Sequence, residues 1–237
     1  MKLFPTNIIR NGLKRGNPMN EKRKLLGLPI YTLGEELMNS ITHGVGALLG
    51  VAALVLCVVK SALAGDAYGV VAGAIYGATL VVLYTMSCLY HALGVNRAKK
   101  VFQTFDHCSI FLLIAGTYTP ITLVAMRGWI GWTVFGIVWA AAVVGITFNG
   151  INVKKYKVMS MICYIAMGWV IILFFPEFMR SVPSAGVWMI FWGGVIYTVG
   201  AVIYGFGKKA KYIHSIWHFF VLAGSVVHFF AIYIYIL

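Results

Sequence analysis

Acidic residues are scarce in this sequence. Only 6 of its 237 residues are Asp or Glu, and charged residues of both signs together make up 11% of the chain. Soluble domains carry roughly 25% charged residues, so this composition excludes an ordinary soluble domain. Because hydrophobic residues reach 61%, the sequence predicts an integral membrane protein whose loops are too short to hold a second, soluble domain.

Paired cysteines and a secretory signal peptide are also lacking. The four cysteines form no CxxC pair and lie in separate apolar segments, which is typical of small buried hydrophobic residues; they are Cys57, Cys88, Cys108 and Cys163. The N-terminus shows no short apolar run followed by a small-residue cleavage site. The first apolar run is long, and we expect it to remain in the membrane.

The net charge of +13 does not indicate a nucleic-acid partner. The lysines and arginines cluster at the ends of apolar runs, where membrane topology requires them. Membrane lipids are therefore the expected partners, and no nucleic acid is expected. The sequence does not indicate an oligomeric state.

Seven apolar runs are long enough to cross a bilayer. A hydrocarbon core of about 30 Å requires roughly 20 apolar residues per helix, and the continuous runs do not alternate as barrel strands do. The sequence predicts an all-α bundle of seven transmembrane helices, approximately Met38–Leu63, Tyr68–Leu93, Phe105–Met126, Trp129–Gly150, Val158–Phe175, Val187–Phe206 and Tyr212–Leu237.

The basic residues predict the orientation of the bundle. When successive loops are assigned to alternate sides of the membrane, 16 of the 19 basic residues fall on the same side: Lys2, Arg10, Lys14, Arg15, Lys22, Arg23, Lys24, Arg97, Lys99, Lys100, Lys154, Lys155, Lys157, Lys208, Lys209 and Lys211. Lys60, Arg127 and Arg180 fall on the other side. Positive loops face the cytoplasm, so we expect a multi-pass protein of the plasma (inner) membrane with a cytoplasmic N-terminus and an outer C-terminus. Residues 1–34 form a basic cytoplasmic tail, and residues 35–237 form the membrane domain.

Polar side chains from three distant segments are predicted to lie at one depth. The orientation places Ser87 and His91 at the cytoplasmic end of the second span, Asp106 at the start of the third, and His214 and His218 at the start of the seventh. Ionisable residues inside spans are expensive and mark functional sites. Their common depth therefore predicts a site near the cytoplasmic face.

The spacing of these residues indicates a metal site. Residues four apart share a helix face, so His91, His214 and His218 can supply three ligands to zinc and leave the fourth position to water, as in catalytic zinc sites. Asp106 is the candidate base, and Ser87 can bond the same water. The alternatives are interfacial histidines, a Ser87 hydroxyl bonded to the carbonyl one turn earlier, and Asp106 as a helix cap.

A second polar stripe opens the first span. Glu36, Asn39 and His43 lie at helical spacing, either as helix caps and interfacial anchors or as a wall of the cytoplasmic pocket. His43 is an alternative metal ligand, although three histidines suffice. His107 is expected to face a neighbour or the headgroups. His228 is expected to be a buried hydrogen-bonding residue far from the site.

Four segments carry a resemblance to a known family: EELMNSITHG, SCLYH, DHCSIFLLIAGTYTP and HSIWH, in this order on the first, second, third and seventh spans. They closely resemble the hemolysin III family, the bacterial relatives of the progestin and adiponectin receptors, in a wider group that includes the alkaline ceramidases. The resemblance covers the chain from Glu35 onward. It implies a seven-helix bundle that holds zinc near the cytoplasmic face.

The resemblance also implies roles for individual residues. His91, His214 and His218 match the zinc-ligand motif, and Ser87 and Asp106 match positions that contact the zinc-bound water or lie beside the ligands. The implied activity is hydrolysis of a ceramide-like lipid amide by zinc hydroxide.

Four functions are consistent with these patterns. The leading one is a zinc hydrolase acting on a lipid amide or ester bond, or a lipid-linked regulator of membrane homeostasis built on that site. The second is a non-enzymatic, receptor-like regulator with structural zinc. The third is a cytolytic pore former, which the lack of soluble composition disfavours. The fourth is a transporter, which is disfavoured because the ionisable groups crowd one side of the membrane.

Overall fold

The computed structural model describes residues 17–207 and 210–237, and all regular secondary structure in these ranges is helical. The predicted cytoplasmic cations outside the described residues are Lys2, Arg10, Lys14, Arg15, Lys208 and Lys209. The α-helices are α1 (Pro18–Leu25), α2 (Leu33–Leu63), α3 (Ala67–Ala92), α4 (Arg97–Pro120), α5 (Trp129–Gly168), α6 (Phe175–Ser181), α7 (Ser184–Phe206) and α8 (Ile213–Tyr235). A π-helical turn, Ile121–Ala125, follows α4, and a 3₁₀ turn, Val170–Phe174, follows α5.

Six helical segments in the described ranges are long and apolar enough to cross a membrane. Seven separate helices were predicted, but the described residues form six such segments, because the fourth and fifth predicted spans, Trp129–Gly150 and Val158–Phe175, belong to one segment, Trp129–Ser181. No loop separates them. Within α5 the backbone leaves the helical conformation only at Asn152, with φ −164° and ψ 95°, so one residue marks the change of direction that we expected a loop to make.

The halves of α5 fold against each other around Asn152. Ser160 Oγ donates to Asn149 Oδ1 at 2.7 Å, and Asn149 Nδ2 donates to the Tyr164 hydroxyl at 3.2 Å. In a straight helix Asn149 and Tyr164 would stand about 22 Å apart. The second half of α5 therefore returns alongside the first.

The fourth helix begins earlier than the predicted third span, Phe105–Met126. Asn96 caps it by accepting a hydrogen bond from the Lys99 backbone N–H at 2.9 Å, a common N-terminal signal. Arg97, Lys99 and Lys100 therefore belong to the helix and not to a loop, and Asp106 lies well inside α4 and does not cap it. The hydropathy of the run could not show this polar extension.

A capping box sets the start of the first long helix. The Glu35 backbone N–H donates to Thr32 Oγ1, and Glu35 Oε2 accepts from the Thr32 backbone N–H at 2.8 Å. The helix consequently begins at Leu33, before the predicted Met38. This start places Glu36 and Asn39 in its first two turns, where α2 meets its neighbours.

Close packing joins the long helices into a bundle that exposes its apolar surface. An added Cβ on Gly73 of α3 would lie 3.0 Å from Cys57 Cβ of α2, so these helices approach closely. Helix α2 also packs against α8, where Lys60 Nζ donates to the Tyr233 carbonyl. Many large apolar side chains are exposed, for example Leu48 at 74%, which suits a surface in contact with lipid.

Candidate metal centre

Three imidazole nitrogens converge where α3 meets α8. His214 Nε2 lies 3.3 Å from His91 Nε2 and 3.2 Å from His218 Nε2. The three donor atoms all lie within 4.8 Å of one another, and no other group of three or more His, Cys, Asp or Glu in the described ranges shares this geometry. The structure thus brings together the three histidines that the sequence singled out.

The tautomers of two of these rings follow from their partners. His91 Nδ1 lies 2.8 Å from Glu36 Oε2, and His218 Nδ1 lies 3.3 Å from the Asn39 carbonyl oxygen. A carboxylate and a carbonyl only accept hydrogen bonds, so each Nδ1 carries the proton and each Nε2 presents a lone pair. Both lone pairs approach His214 Nε2, an arrangement that a cation would stabilise.

The donor set fits a metal ion. Imidazole nitrogens bind zinc at about 2.0–2.1 Å, which places neighbouring ligand atoms of a tetrahedron roughly 3.3 Å apart. The 3.2 and 3.3 Å separations from His214 Nε2 match this value. His91 and His218 are buried and His214 is half-buried. The triad can therefore hold a metal ion.

Glu36 contacts the site more directly than a pocket wall would. It bonds His91 Nδ1 through Oε2, while Oε1 lies 3.0 Å from Arg23 Nη2 and 3.1 Å from Lys99 Nζ. All four side chains are at least nine-tenths buried. A carboxylate that receives the second N–H of a ligating histidine fixes the ring and raises its basicity. The sequence interpretation missed Arg23 and Lys99, because both were assigned to exposed cytoplasmic segments.

Asn39 links the two ligand-bearing helices from α2. Its carbonyl holds His218, and its Oδ1 accepts from Ser215 Oγ at 2.6 Å. Its Nδ2 lies 3.4 Å from His91 Nδ1, which already donates to Glu36. Asn39 is fully buried, so it connects helices inside the bundle and is not an interfacial anchor.

Glu35 ties the start of α8 to α2, and sequence reasoning missed this role. Its Oε1 accepts from the Tyr212 backbone N–H at 2.9 Å, two residues before His214. Tyr212 has a φ of 61°, a left-handed conformation that a non-glycine residue adopts only where its surroundings hold it. The spacing of Thr32 and Glu35 is a capping signal that can be read in the sequence. Nothing in the sequence indicates the distant partner of Glu35, Tyr212.

Aromatic rings surround the histidines. The Tyr31 ring stacks on His214 with centroids 5.3 Å apart, and the Tyr204 ring lies at the same distance. Removal from water raises the pKa of Tyr31, so its phenol stays neutral beside the site. His43 stacks on His218 with centroids 3.6 Å apart, and both its nitrogens are buried without a hydrogen-bond partner among the described residues. His43 lies outside the triad.

A cavity of about 160 Å³ adjoins the histidines. Asp106, His107, His214 and His218 line it. Its remaining walls are mostly apolar and include Leu83, Ile110, Leu113, Ile114, Met161, Ile165 and Val221. The cavity therefore joins a polar end to an apolar interior.

His228 lines the same cavity, so it is less remote than its position ten residues beyond His218 suggested. Its Nε2 donates to the Ile190 carbonyl at 2.9 Å, which agrees with the expected buried hydrogen bond. Helical rise separates His218 and His228 by about 15 Å. The cavity therefore extends along α8, away from His214 and His218 and as far as His228.

The two predicted catalytic residues are placed differently. Asp106 lies on the cavity wall with His214 and His218, whereas Ser87, like His91, is absent from that wall and is fully buried one turn before His91. Ser87 Oγ has no hydrogen-bond partner among the described residues. The alternative in which Ser87 bonds the preceding turn is therefore wrong for this structure.

Comparisons with known proteins identify the family of this chain. The family model described as "Haemolysin-III related" matches residues 31–229. The chain is 40% identical over 203 residues to "Hemolysin-3" of Bacillus cereus, covering 86% of this chain and 92% of that protein. It is 39% identical over 206 residues to "Hemolysin-3 homolog" of Bacillus subtilis, covering 87% and 96%.

A human protein is similar over most of the chain as well. "Monocyte to macrophage differentiation factor" is 28% identical over 227 residues, covering 92% of this chain and 91% of that protein. The match therefore extends beyond the four short motifs and includes nearly all of the helices.

Proposed function

The chain belongs to the haemolysin-III related family of multi-pass membrane proteins, and we propose that it is a zinc-dependent hydrolase of a lipid amide or ester bond. One observation carries the proposal. Three imidazole nitrogens converge at one end of a mostly apolar cavity, whose wall includes two of these histidines, His214 and His218, together with Asp106. A polar end with a candidate base and an apolar interior suit an amphiphilic substrate.

The proposed topology has seven crossings with the N-terminus in the cytoplasm. The segment Trp129–Ser181 would be about 80 Å long if straight, against a core of about 30 Å. Its fold at Asn152 supports two crossings in opposite directions. Arg127 Nη2 lies 2.9 Å from both carboxylate oxygens of Asp66. This ion pair joins the turn between α2 and α3 to the turn before α5, both on the proposed outer side.

The triad would hold zinc through His91, His214 and His218. Zinc bound there would supply Lewis-acid activation of water and polarisation of the substrate carbonyl. Glu36 and the Asn39 carbonyl keep the Nδ1 protons of His91 and His218 in place, so both Nε2 lone pairs stay directed at the site. Protein groups thereby preorganise the ligands.

Asp106 would move the proton in this reaction. As the water oxygen bonds to the acyl carbon, Asp106 accepts the proton that the water releases. It returns that proton to the leaving nitrogen or oxygen as the bond to the acyl carbon breaks. Ser87, whose hydroxyl has no partner among the described residues, would hold a water molecule one turn before His91.

The apolar walls would hold the acyl chain. Ile110, Leu113 and Val221 line the cavity and extend away from the polar end. A chain in this space would exclude bulk water from the reacting carbonyl and keep it near Asp106. The substrate class is accordingly a membrane lipid with an acyl group.

Metal analysis and lipid hydrolysis together test this function. Purified protein is expected to hold one zinc per chain, and His214→Ala with His218→Ala is expected to lose it, whereas His228→Ala keeps it. Hydrolysis of lipid amides and esters in defined micelles is then followed by mass spectrometry of the products. Zinc retained by the double variant, or no product from any acyl lipid, would contradict the proposal.

Two alternatives make different predictions. A regulator with structural zinc would keep its cellular activity when Asp106 is changed to Asn and zinc is retained. The names of two relatives suggest a cytolysin as the other alternative. A cytolysin would lyse target cells when added as purified protein. The proposed hydrolase requires Asp106 and does not lyse cells from outside.

A further inference from the structure

We propose that helix α1, which precedes the membrane domain, is a positioning element of the metal site: Arg23, together with Lys99, holds Glu36 in the orientation that fixes His91, so that metal retention depends on α1. This inference rests on the proposed metal site. It adds a role for a segment that composition assigns to a basic cytoplasmic tail.

Arg23 is unlike the other basic residues of α1. It is 7% exposed, while its neighbours Lys22 and Lys24 are exposed. Its Nη1 donates to the Pro29 carbonyl at 2.9 Å, and its Nη2 donates to Glu36 Oε1 at 3.0 Å. One planar guanidinium therefore fixes both the segment that leads into α2 and the Glu36 carboxylate in the first turn of that helix.

Lys99 completes the same clamp from α4. Its Nζ lies 3.1 Å from Glu36 Oε1 and donates to the carbonyls of Tyr90 at 2.7 Å and Leu93 at 3.0 Å. These carbonyls belong to the C-terminal end of α3, where a cation is favourable. Lys99 therefore holds the backbone on both sides of His91 as well as the carboxylate that bonds its ring.

The contacts form a single buried path from α1 to a metal ligand. Arg23 and Lys99 both bind Oε1 of Glu36, and this leaves Oε2 for His91 Nδ1 at 2.8 Å. Removing one partner from a buried ion-pair network leaves an uncompensated charge. Without Arg23, Glu36 is free to turn toward Lys99, which loosens the His91 ring and weakens its hold on a metal.

Metal affinity measured by chelator competition tests the clamp. Arg23→Gln is expected to raise the zinc dissociation constant by about tenfold, at the low end of the 10–100-fold range for partners of ligands. Lys24→Gln removes the same charge from an exposed position of the same helix and is expected to leave the constant unchanged. Arg23→Lys restores the charge without the fork geometry and should recover part of the affinity.

A double-mutant cycle separates positioning from general destabilisation. Glu36→Gln alone is expected to weaken zinc binding more than Arg23→Gln does. If Arg23 acts through Glu36, adding Arg23→Gln to Glu36→Gln causes little further loss. Equal losses in both backgrounds would overturn the proposal, as would equal affinities for Arg23→Gln and Lys24→Gln.

The metal-free protein distinguishes failure of the clamp from failure of the proposed function. Wild-type protein without triad-dependent zinc would refute the metal site itself. In that case the apparent Tm of the apo protein still tests the buried path, because Arg23→Gln should lower it more than Lys24→Gln does. Equal Tm values would refute the path independently of any metal.

Discussion

The Asn39 carbonyl accepts the Nδ1–H of His218 at 3.3 Å, so this ligand is oriented by main chain, whereas a side chain, Glu36, orients His91. A substitution can remove the carboxylate but cannot remove the carbonyl. The two ligands should therefore respond differently to mutation of their partners.

Asn39→Ala is expected to lower stability by about 1–3 kcal/mol, because Ser215 Oγ loses its buried partner. Zinc affinity should fall by less than tenfold, since the carbonyl that holds His218 remains. Glu36→Gln should instead weaken zinc binding by about 10–100-fold. Denaturation and chelator competition on the same preparations check both values, and a larger loss of zinc in Asn39→Ala would contradict this assignment.

Asp106→Asn should separate metal binding from turnover. The amide cannot accept the proton, so the hydrolysis rate is expected to fall by about 10²–10⁴-fold. Zinc content should stay at the wild-type level, because Asp106 does not belong to the triad. Elemental analysis and product formation by mass spectrometry provide the two readouts. Full activity in the variant would exclude Asp106 as the base.

Narrowing the cavity should weaken the binding of lipids with long acyl chains. Ile114 lines the cavity, and Ile114→Trp is expected to raise KM for a long-chain lipid more than for a short-chain analogue, at an overpacking cost of about 1–3 kcal/mol. Ile137→Trp makes the same change at a position that is 47% exposed and serves as the control. Identical chain-length profiles for both variants would place the acyl chain elsewhere.

The crossings of Trp129–Ser181 can be measured by cysteine accessibility in a cysteine-free background. Trp129→Cys and Arg180→Cys should react with an impermeant thiol reagent added outside intact cells. Asn152→Cys should react only after the inner face is exposed, because the fold at Asn152 returns the chain toward the side from which it came. Labelling of all three positions from outside would rule out the second crossing.

The sequence predicted that the three histidines would lie close together, because cations at the ends of apolar runs indicate which residues share one end of the bundle. His91, His214 and His218 met as expected. Hydropathy predicted two runs, on either side of Asn152, and the chain does reverse direction there. It could not show that a single non-helical residue, and not a loop, makes the reversal.

The residues around the triad were harder to predict. Lys99 resembles any cation of a cytoplasmic loop, and only its neighbours Glu36, Tyr90 and Leu93 make it a buried clamp. The contact with Glu36 joins distant segments, and those with Tyr90 and Leu93, 9 and 6 residues away, cross the turn between α3 and α4, so no helical spacing encodes them. Glu35 carried a local signal, but its bond to Tyr212 joins positions 177 residues apart.

The contact of His91 with His214 joins positions 123 residues apart and so has a consequence for biosynthesis. A chain that emerges from the ribosome in order inserts His91 long before the last helix exists. During that interval the nascent protein has only one of the three candidate ligands, which is too few to hold the proposed ion. For the metal site proposed above, we therefore expect metallation to follow completion of the last helix and truncated chains to remain metal-free.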